Sequence, residues 1–159
     1  MSARPDEPLG RWIWLLPLAY TLHVLEEAYG GYGLIGWMIE RGGLHLSLAA
    51  FFIVNLVGLA IIAVATWGAR MHRAWQWPLA SAGAILFMNG VSHVAASIAS
   101  RHYVSGMFTG IAFYIPLGAF LLIRVQGRVR RSVFWGAVAF GFTIHAVTLW
   151  WVVFGAPWF

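Results

Sequence analysis

Five consecutive residues, His23-Val24-Leu25-Glu26-Glu27, place an imidazole and two carboxylates within one turn of chain. On a helix, residues three and four apart are neighbours, so His23 can meet both Glu26 and Glu27. Adjacent carboxylates repel each other. Such a group holds a proton, binds a cation or pairs with an arginine. The plainer alternative is that the two glutamates close a helix and are hydrated there. Asn89 and His93 form a second pair, four apart and so on one face. Asn89 alone reads as an interhelical hydrogen bond, worth ~0.6–2 kcal/mol. A histidine on the same face makes the pair a candidate partner for the first cluster. His145, flanked by Thr143 and Thr148, is a third histidine inside an apolar run. Asn55, Thr109 and Tyr114 interrupt other apolar runs, and each taken singly is more often packing glue.

Two chemistries fit these types. Histidine and carboxylate ligands suit a divalent metal such as zinc or iron. His23, Glu26, His93 and His145 form the expected ligand set, with Glu27 able to replace Glu26. The glutamate left over would act as general base on a metal-bound water. In a metal-free version one protonated glutamate is the acid, and His23 or the other glutamate is the base. Glu26, Glu27 and His23 are thus the expected catalytic residues. Asn55, Asn89, Tyr103 and Tyr114 are expected to meet a substrate.

These groups need elements to hold them, and composition says which. Of 159 residues, 61% are hydrophobic and 9% charged, against about 25% charged in soluble chains. So few charges cannot cover a water-soluble surface, and lipid is the solvent the excess apolar surface requires. The chain has no cysteine, which excludes disulfides, thiolate metal sites and cysteine nucleophiles. About 20 apolar residues cross a bilayer core. Five segments meet or approach that length: 11–28, 44–67, 75–100, 106–123 and 132–154. The reading is an all-α, polytopic membrane bundle of about five transmembrane helices, residues 1–159 forming a single domain. A short interfacial helix is expected at 34–40. The first run has a passable cleavage site at Ala28-Tyr29-Gly30, but a cleavable signal does not normally carry two carboxylates just before it. It is read as a retained helix. The small residues Ser92, Ala96 and Ser100, with Ala95 and Ala99, are expected to let helices approach closely.

All ten basic residues are arginine, and they occupy the gaps between apolar runs. That makes them topology signals and argues against a nucleic-acid partner. Arg4, Arg11, Arg70, Arg73, Arg124, Arg128, Arg130 and Arg131 fall on one side, and Arg41 and Arg101 on the other. Eight against two places the N-terminus in the cytoplasm and the C-terminus outside. His23, Glu26, Glu27, Asn89 and His93 then share the outer half of the bilayer, with Asn55 and His145 near mid-depth. Independent pieces of packing glue need not agree in depth, whereas one polar cavity requires it. His45 and His72 lie at a helix start and in a connection, and Arg101-His102-Tyr103 forms a rim.

His23-Val24-Leu25-Glu26-Glu27 resembles the defining pattern of the HXXEE family of small bacterial membrane proteins. Asn89-Gly90-Val91-Ser92-His93 is similar to that family's second motif. The stretch from Arg101 to Thr109 is similar to its tyrosine-, glycine- and threonine-containing connection, with Ser105 where a proline often precedes the glycine. The resemblance spans nearly the whole chain. It implies a bacterial cytoplasmic membrane and carries no established activity.

Three functions remain open on this reading. The favoured one is an intramembrane enzyme acting on a lipophilic substrate. The second is a module that transports or binds a cation, a proton or a small lipophile. Five helices without a repeat lack the pseudo-symmetry common in transporters, which an oligomer could supply. The third is a structural membrane subunit. In each the lipid bilayer is a partner.

Overall fold

The computed structural model describes residues 9–30 and 48–154. Arg4, Arg41, His45, the expected helix at 34–40 and the C-terminal tail lie outside the described residues. Among the described residues there is no strand, and five helices hold most of them. A 3-10 turn, Arg11–Trp14, leads into α1, Leu15–Tyr29. Helix α2 is Leu48–Met71, α3 is Trp77–Ser100, α4 is Met107–Gln126, and α5 is Arg131–Phe154.

Helices α2 to α5 are long and apolar enough to cross a bilayer, and the chain is an integral membrane protein. Helix α1 has 15 residues, about 22 Å at 1.5 Å per residue, short of a ~30 Å core. Its last turn carries Glu26 and Glu27 and is packed into protein. Pro78 opens α3, where a missing N–H costs nothing. Pro116 lies inside α4, where its ring crowds the carbonyl of Ala112. The helix answers with a π-helical stretch, Gly110–Tyr114, just before it.

Helices successive along the chain alternate in direction. Tyr20 of α1 donates to Asn55 Oδ1 of α2 at 2.8 Å. Trp12 and Phe120 meet edge to face, with ring centroids 4.9 Å apart. Helix α3 is the centre of the bundle and the most buried of the long helices, whereas α2 is largely exposed, its Ile53, Val54, Leu56 and Ile61 facing outward. The core joins Leu16 and Ala19 of α1 to Leu79, Ala84 and Leu86 of α3, Leu121 and Val125 of α4, and Phe134 and Val138 of α5. Lipid tails are as apolar as leucine, so close packing rather than water exclusion must hold these helices together. Helices α3 and α4 approach closely at Gly83 and Gly118, where a Cβ on Gly118 would lie 2.7 Å from Gly83 O. The expected small-residue stripe is not that contact. Ala95, Ala96, Ala99 and Ser100 are exposed, and Ser97 is the buried residue of that turn.

This alternation sorts the bundle's two ends. The start of α1, the end of α2, the start of α3, the end of α4 and the start of α5 carry nearly all the described arginines. The other end, where α1 and α3 finish and α4 begins, carries His23, His93 and His102 with Glu26 and Glu27.

Candidate functional site

Helix α1 brings His23 and Glu27 to the face it turns toward α3 and α4, since a spacing of four keeps them on one stripe. His23 is 2% exposed and Glu27 9%. From α3 comes His93, 8% exposed. Glu27 Oε1 lies 3.5 Å from His23 Nε2 and 3.2 Å from His93 Nε2. One ligand atom from each of His23, Glu27 and His93 falls within 4.8 Å of the other two. The two imidazoles meet edge to face with centroids 5.0 Å apart, and Tyr114 stacks on His23 at 4.0 Å. The π-helical stretch before Pro116 delivers Tyr114 to that position.

The opposite edge of His23 faces α4. Its Nδ1 lies 2.7 Å from Thr109 Oγ1, and Thr109 Oγ1 donates to Glu26 Oε2. A hydroxyl has one proton. With that proton on Glu26, Thr109 can only accept from His23, so Nδ1 carries a hydrogen. In neutral His23 the lone pair then sits on Nε2, turned toward Glu27. That nitrogen is buried and has no hydrogen-bond partner among the described residues. Two electron-pair donors facing each other at 3.5 Å repel unless a positive charge lies between them. Either a proton on Nε2 or a cation shared with His93 meets that requirement.

Glu26, adjacent in sequence, points elsewhere. Its carboxylate accepts from the backbone N–H of Phe108 at 2.9 Å and of Thr109 at 2.7 Å, and from the Tyr103 hydroxyl at 2.6 Å. Phe108 and Thr109 are in the first turn of α4, whose N–H groups have no partner within the helix. Glu26 therefore caps α4 from another helix, with its charge at the positive end of the helix dipole. Its backbone carbonyl is tied to the same connection by Ser105 Oγ. Burial and the Glu26 carboxylate beside it push the Tyr103 phenol up to about 12.

The connection between α3 and α4 fits around this geometry. Helix α3 ends on Arg101, which takes the left-handed conformation at φ 57°. Ser97 Oγ accepts the backbone N–H of Val104 at 3.0 Å. Gly106 has φ 95°, and a Cβ there would stand 2.7 Å from His93 Nδ1 and 2.9 Å from His23 Cε1. The chain passes over both imidazoles with no room for a side chain.

The metal-ligand set expected from sequence, His23, Glu26, His93 and His145, is thus not the set brought together. Glu27 stands where Glu26 was expected, because Glu26 is engaged by four donors of the α3–α4 connection and α4. His145, though buried at 8% exposure, bonds through Nε2 to Ser92 Oγ at 3.1 Å, one residue from His93, and joins α5 to α3. Asn55 is occupied on both sides, by Tyr20 and by its own donation to Phe51 O at 3.0 Å. Asn89 is one turn from His93, with its buried Oδ1 lacking a hydrogen-bond partner among the described residues. Tyr103 touches Glu26, and Tyr114 touches His23. Thr109, which taken singly reads as packing glue, is the bridge between Glu26 and His23. Gly106 and Ser105 draw no attention from composition or helical spacing; only the family-like connection contains them.

No curated protein and no solved structure matches the chain. The model of a family described as a protein of unknown function with HXXEE motif matches residues 14–121, which hold every residue of the cluster, and the chain belongs to that HXXEE family.

Proposed function

We propose that the chain is a metal-dependent membrane enzyme acting on a lipophilic substrate, with His23, Glu27 and His93 as the ligands of one divalent ion. The observation that carries this reading is the spacing of the three ligand atoms around Glu27. Zinc bonds to nitrogen and oxygen are about 2.1 Å, which makes the edge of a tetrahedral site ~3.4 Å. The two edges that meet at Glu27, 3.5 and 3.2 Å, bracket it. Structural zinc sites are closed by four protein ligands, whereas catalytic ones use three and keep a position open. Two histidines and a carboxylate are also the ligands of non-haem iron sites. Zinc and iron are therefore the candidates, and the open position is where a substrate oxygen or a water would bind.

The remaining residues support that chemistry. Metal-binding histidines commonly hand their second N–H to an acceptor that fixes the ring, and the Thr109–Glu26 pair does this for His23. The apolar stretches of α3 and α4 on either side of the cluster suit a lipophilic substrate. We place the arginine-rich end on the cytoplasmic side of a bacterial cytoplasmic membrane, following the positive-inside bias, which puts the cluster toward the outer face.

Elemental analysis of the purified, detergent-solubilised protein tests the proposal, with His23→Ala and His93→Ala as controls. About one zinc or iron per chain, lost in both variants, is the expected result. Folded wild-type protein that stays metal-free after incubation with either ion rules the reading out.

A further inference from the structure

In the histidine cluster and the helical turn next to it, three buried polar atoms lack a hydrogen-bond partner among the described residues: His23 Nε2, His93 Nδ1 and Asn89 Oδ1. The first faces Glu27, where a metal would take its lone pair. The second lies under the α3–α4 connection, where a Cβ on Gly106 would stand 2.7 Å from it, so no ligand atom fits there. Asn89 Oδ1 has neither explanation. We infer that Asn89 binds the substrate, by accepting a hydrogen bond from an N–H or O–H next to the substrate's metal-bound oxygen.

Depth makes that atom's state costly. Asn89 lies at the middle of α3, a helix of 24 residues, and so is about 18 Å from either end at 1.5 Å per residue. Bulk water is remote, and inside a bilayer an unsatisfied polar group costs several kcal/mol. An acceptor held there without a donor points to a partner that arrives from outside the protein. Other polar residues of the bundle show the contrast. Asn55 of α2 accepts from Tyr20 and donates to Phe51 O, and Ser92 and His145 bond to each other across α3 and α5. Those side chains join helices and have their partners; the Asn89 oxygen does not.

Position sets the direction of approach and the chemistry of the ligand. Asn89 precedes His93 by four residues, so it shares the stripe of His93 about 6 Å nearer the bilayer centre. The opposite side of the cluster is closed. The backbone at Gly106 passes over both imidazoles, and the Tyr103 bond to Glu26 ties that connection to α1. Tyr114 covers one face of His23. The open metal position therefore faces Asn89 and the bilayer interior, where a lipophile is at home. A metal–oxygen bond of about 2.1 Å, the O–C–N unit of an amide and a hydrogen bond of about 2.9 Å together bridge a gap of roughly that size. An acyl chain ending in a carbonyl with an N–H beside it matches metal and Asn89 at once, whereas an ester offers Asn89 nothing. The inference rests on the metal reading of the cluster and adds the ligand's chemistry to it.

Titration calorimetry of the zinc- or iron-loaded full chain in detergent tests this, with decanohydroxamic acid and its N-methyl derivative as probes. Both offer the metal the same pair of oxygens, and only the first carries an N–H. The N-methyl compound should bind about tenfold more weakly, the factor for a buried acceptor left unpaired. Asn89→Leu should bring the two probes to equal affinity with metal content unchanged. Its thermal midpoint should hold or rise, because an orphaned acceptor is gone. Asn89→Ala is the second variant and should equalise the probes in the same way. Wild-type protein that holds no metal sinks the reading of the cluster before any probe is added. Metal present with no hydroxamate bound overturns this inference alone. So does an N–H preference that survives in both variants, and a lowered midpoint alongside it returns Asn89 to a structural role.

Discussion

Thr109 Oγ1 lies 2.7 Å from His23 Nδ1 and gives its own proton to Glu26. One hydroxyl thus connects the capping carboxylate to the ring that faces Glu27. Thr109→Val keeps the shape and removes both bonds. Loss of such an outer-shell partner costs 10–100-fold in metal affinity, and that is the loss expected here in a competition titration with a chelator. Thr109→Ser restores the hydroxyl and should return affinity to near the wild-type value. Equal affinity in valine and serine variants would show that the hydroxyl does not orient His23.

Glu26 and Glu27 are neighbours in sequence with different duties, and the two glutamine variants should separate them. Glu27→Gln removes the charged oxygen between His23 and His93, and bound metal should fall close to zero while the fold persists. Glu26→Gln leaves the three ligands intact and weakens the cap on α4. Metal should be retained at reduced affinity, and the thermal midpoint in detergent should fall, by the equivalent of about 0.5–2 kcal/mol for a lost cap. The reverse pattern would return the ligand role to Glu26.

Gly106 is fixed by two constraints at once, its positive φ and the two imidazoles beneath it. Gly106→Ala carries the backbone strain, of order 1–3 kcal/mol, and drives a methyl group against His93 and His23. A lowered thermal midpoint together with lost metal binding is expected. A midpoint that drops with metal affinity intact would mean that the connection can lift away without moving the histidines.

The fold was legible in the sequence because each of its causes is local. Long apolar runs, set apart by arginine and glycine, are what membrane helices are made of, and the arginine count by itself sorts the two ends. His23 and His93 could be picked out because an imidazole inside an apolar run needs a reason to be there. The choice between Glu26 and Glu27 could not be made this way, since both flank the stripe of His23. It depends on where the first turn of α4 docks, which is a tertiary fact. Thr109 was hidden for the same reason: a threonine at a helix start is ordinary until another helix supplies the carboxylate. Gly106 shows the same limit, because the rings it must clear come from two other segments.

The Tyr103 phenol offers a pH test outside the membrane-crossing helices. Its folded value is raised to about 12, above the ordinary value of about 10. A raised value means that the neutral, donating phenol is favoured in the folded state. The contribution of its bond to Glu26 is therefore complete below pH ~10 and is lost as the pH climbs toward 12. The phenolate absorbance of wild type minus Tyr103→Phe should rise in that upper window. A difference curve centred near pH 10 would mean that Tyr103 does not hold Glu26 in solution.

The α3–α4 contact can be tested away from the cluster, by comparing two glycines. At Gly118 a methyl group would meet Gly83 O and Phe87 N, both at 2.7 Å and both backbone atoms that cannot rotate aside. At Gly136, on α5, a methyl group meets nothing within 4 Å. Overpacking of this kind costs about 1–3 kcal/mol, whereas alanine in an open helical position is favoured over glycine by up to ~1 kcal/mol. Gly118→Ala should lower the thermal midpoint in detergent, and Gly136→Ala should hold or raise it. His93 sits on the same α3, and His23 packs against the α4 that Gly118 seats. Gly118→Ala should therefore also reduce metal binding, without altering any residue of the site. Loss of stability with metal affinity unchanged would show instead that the ligands are positioned by the α3–α4 connection alone.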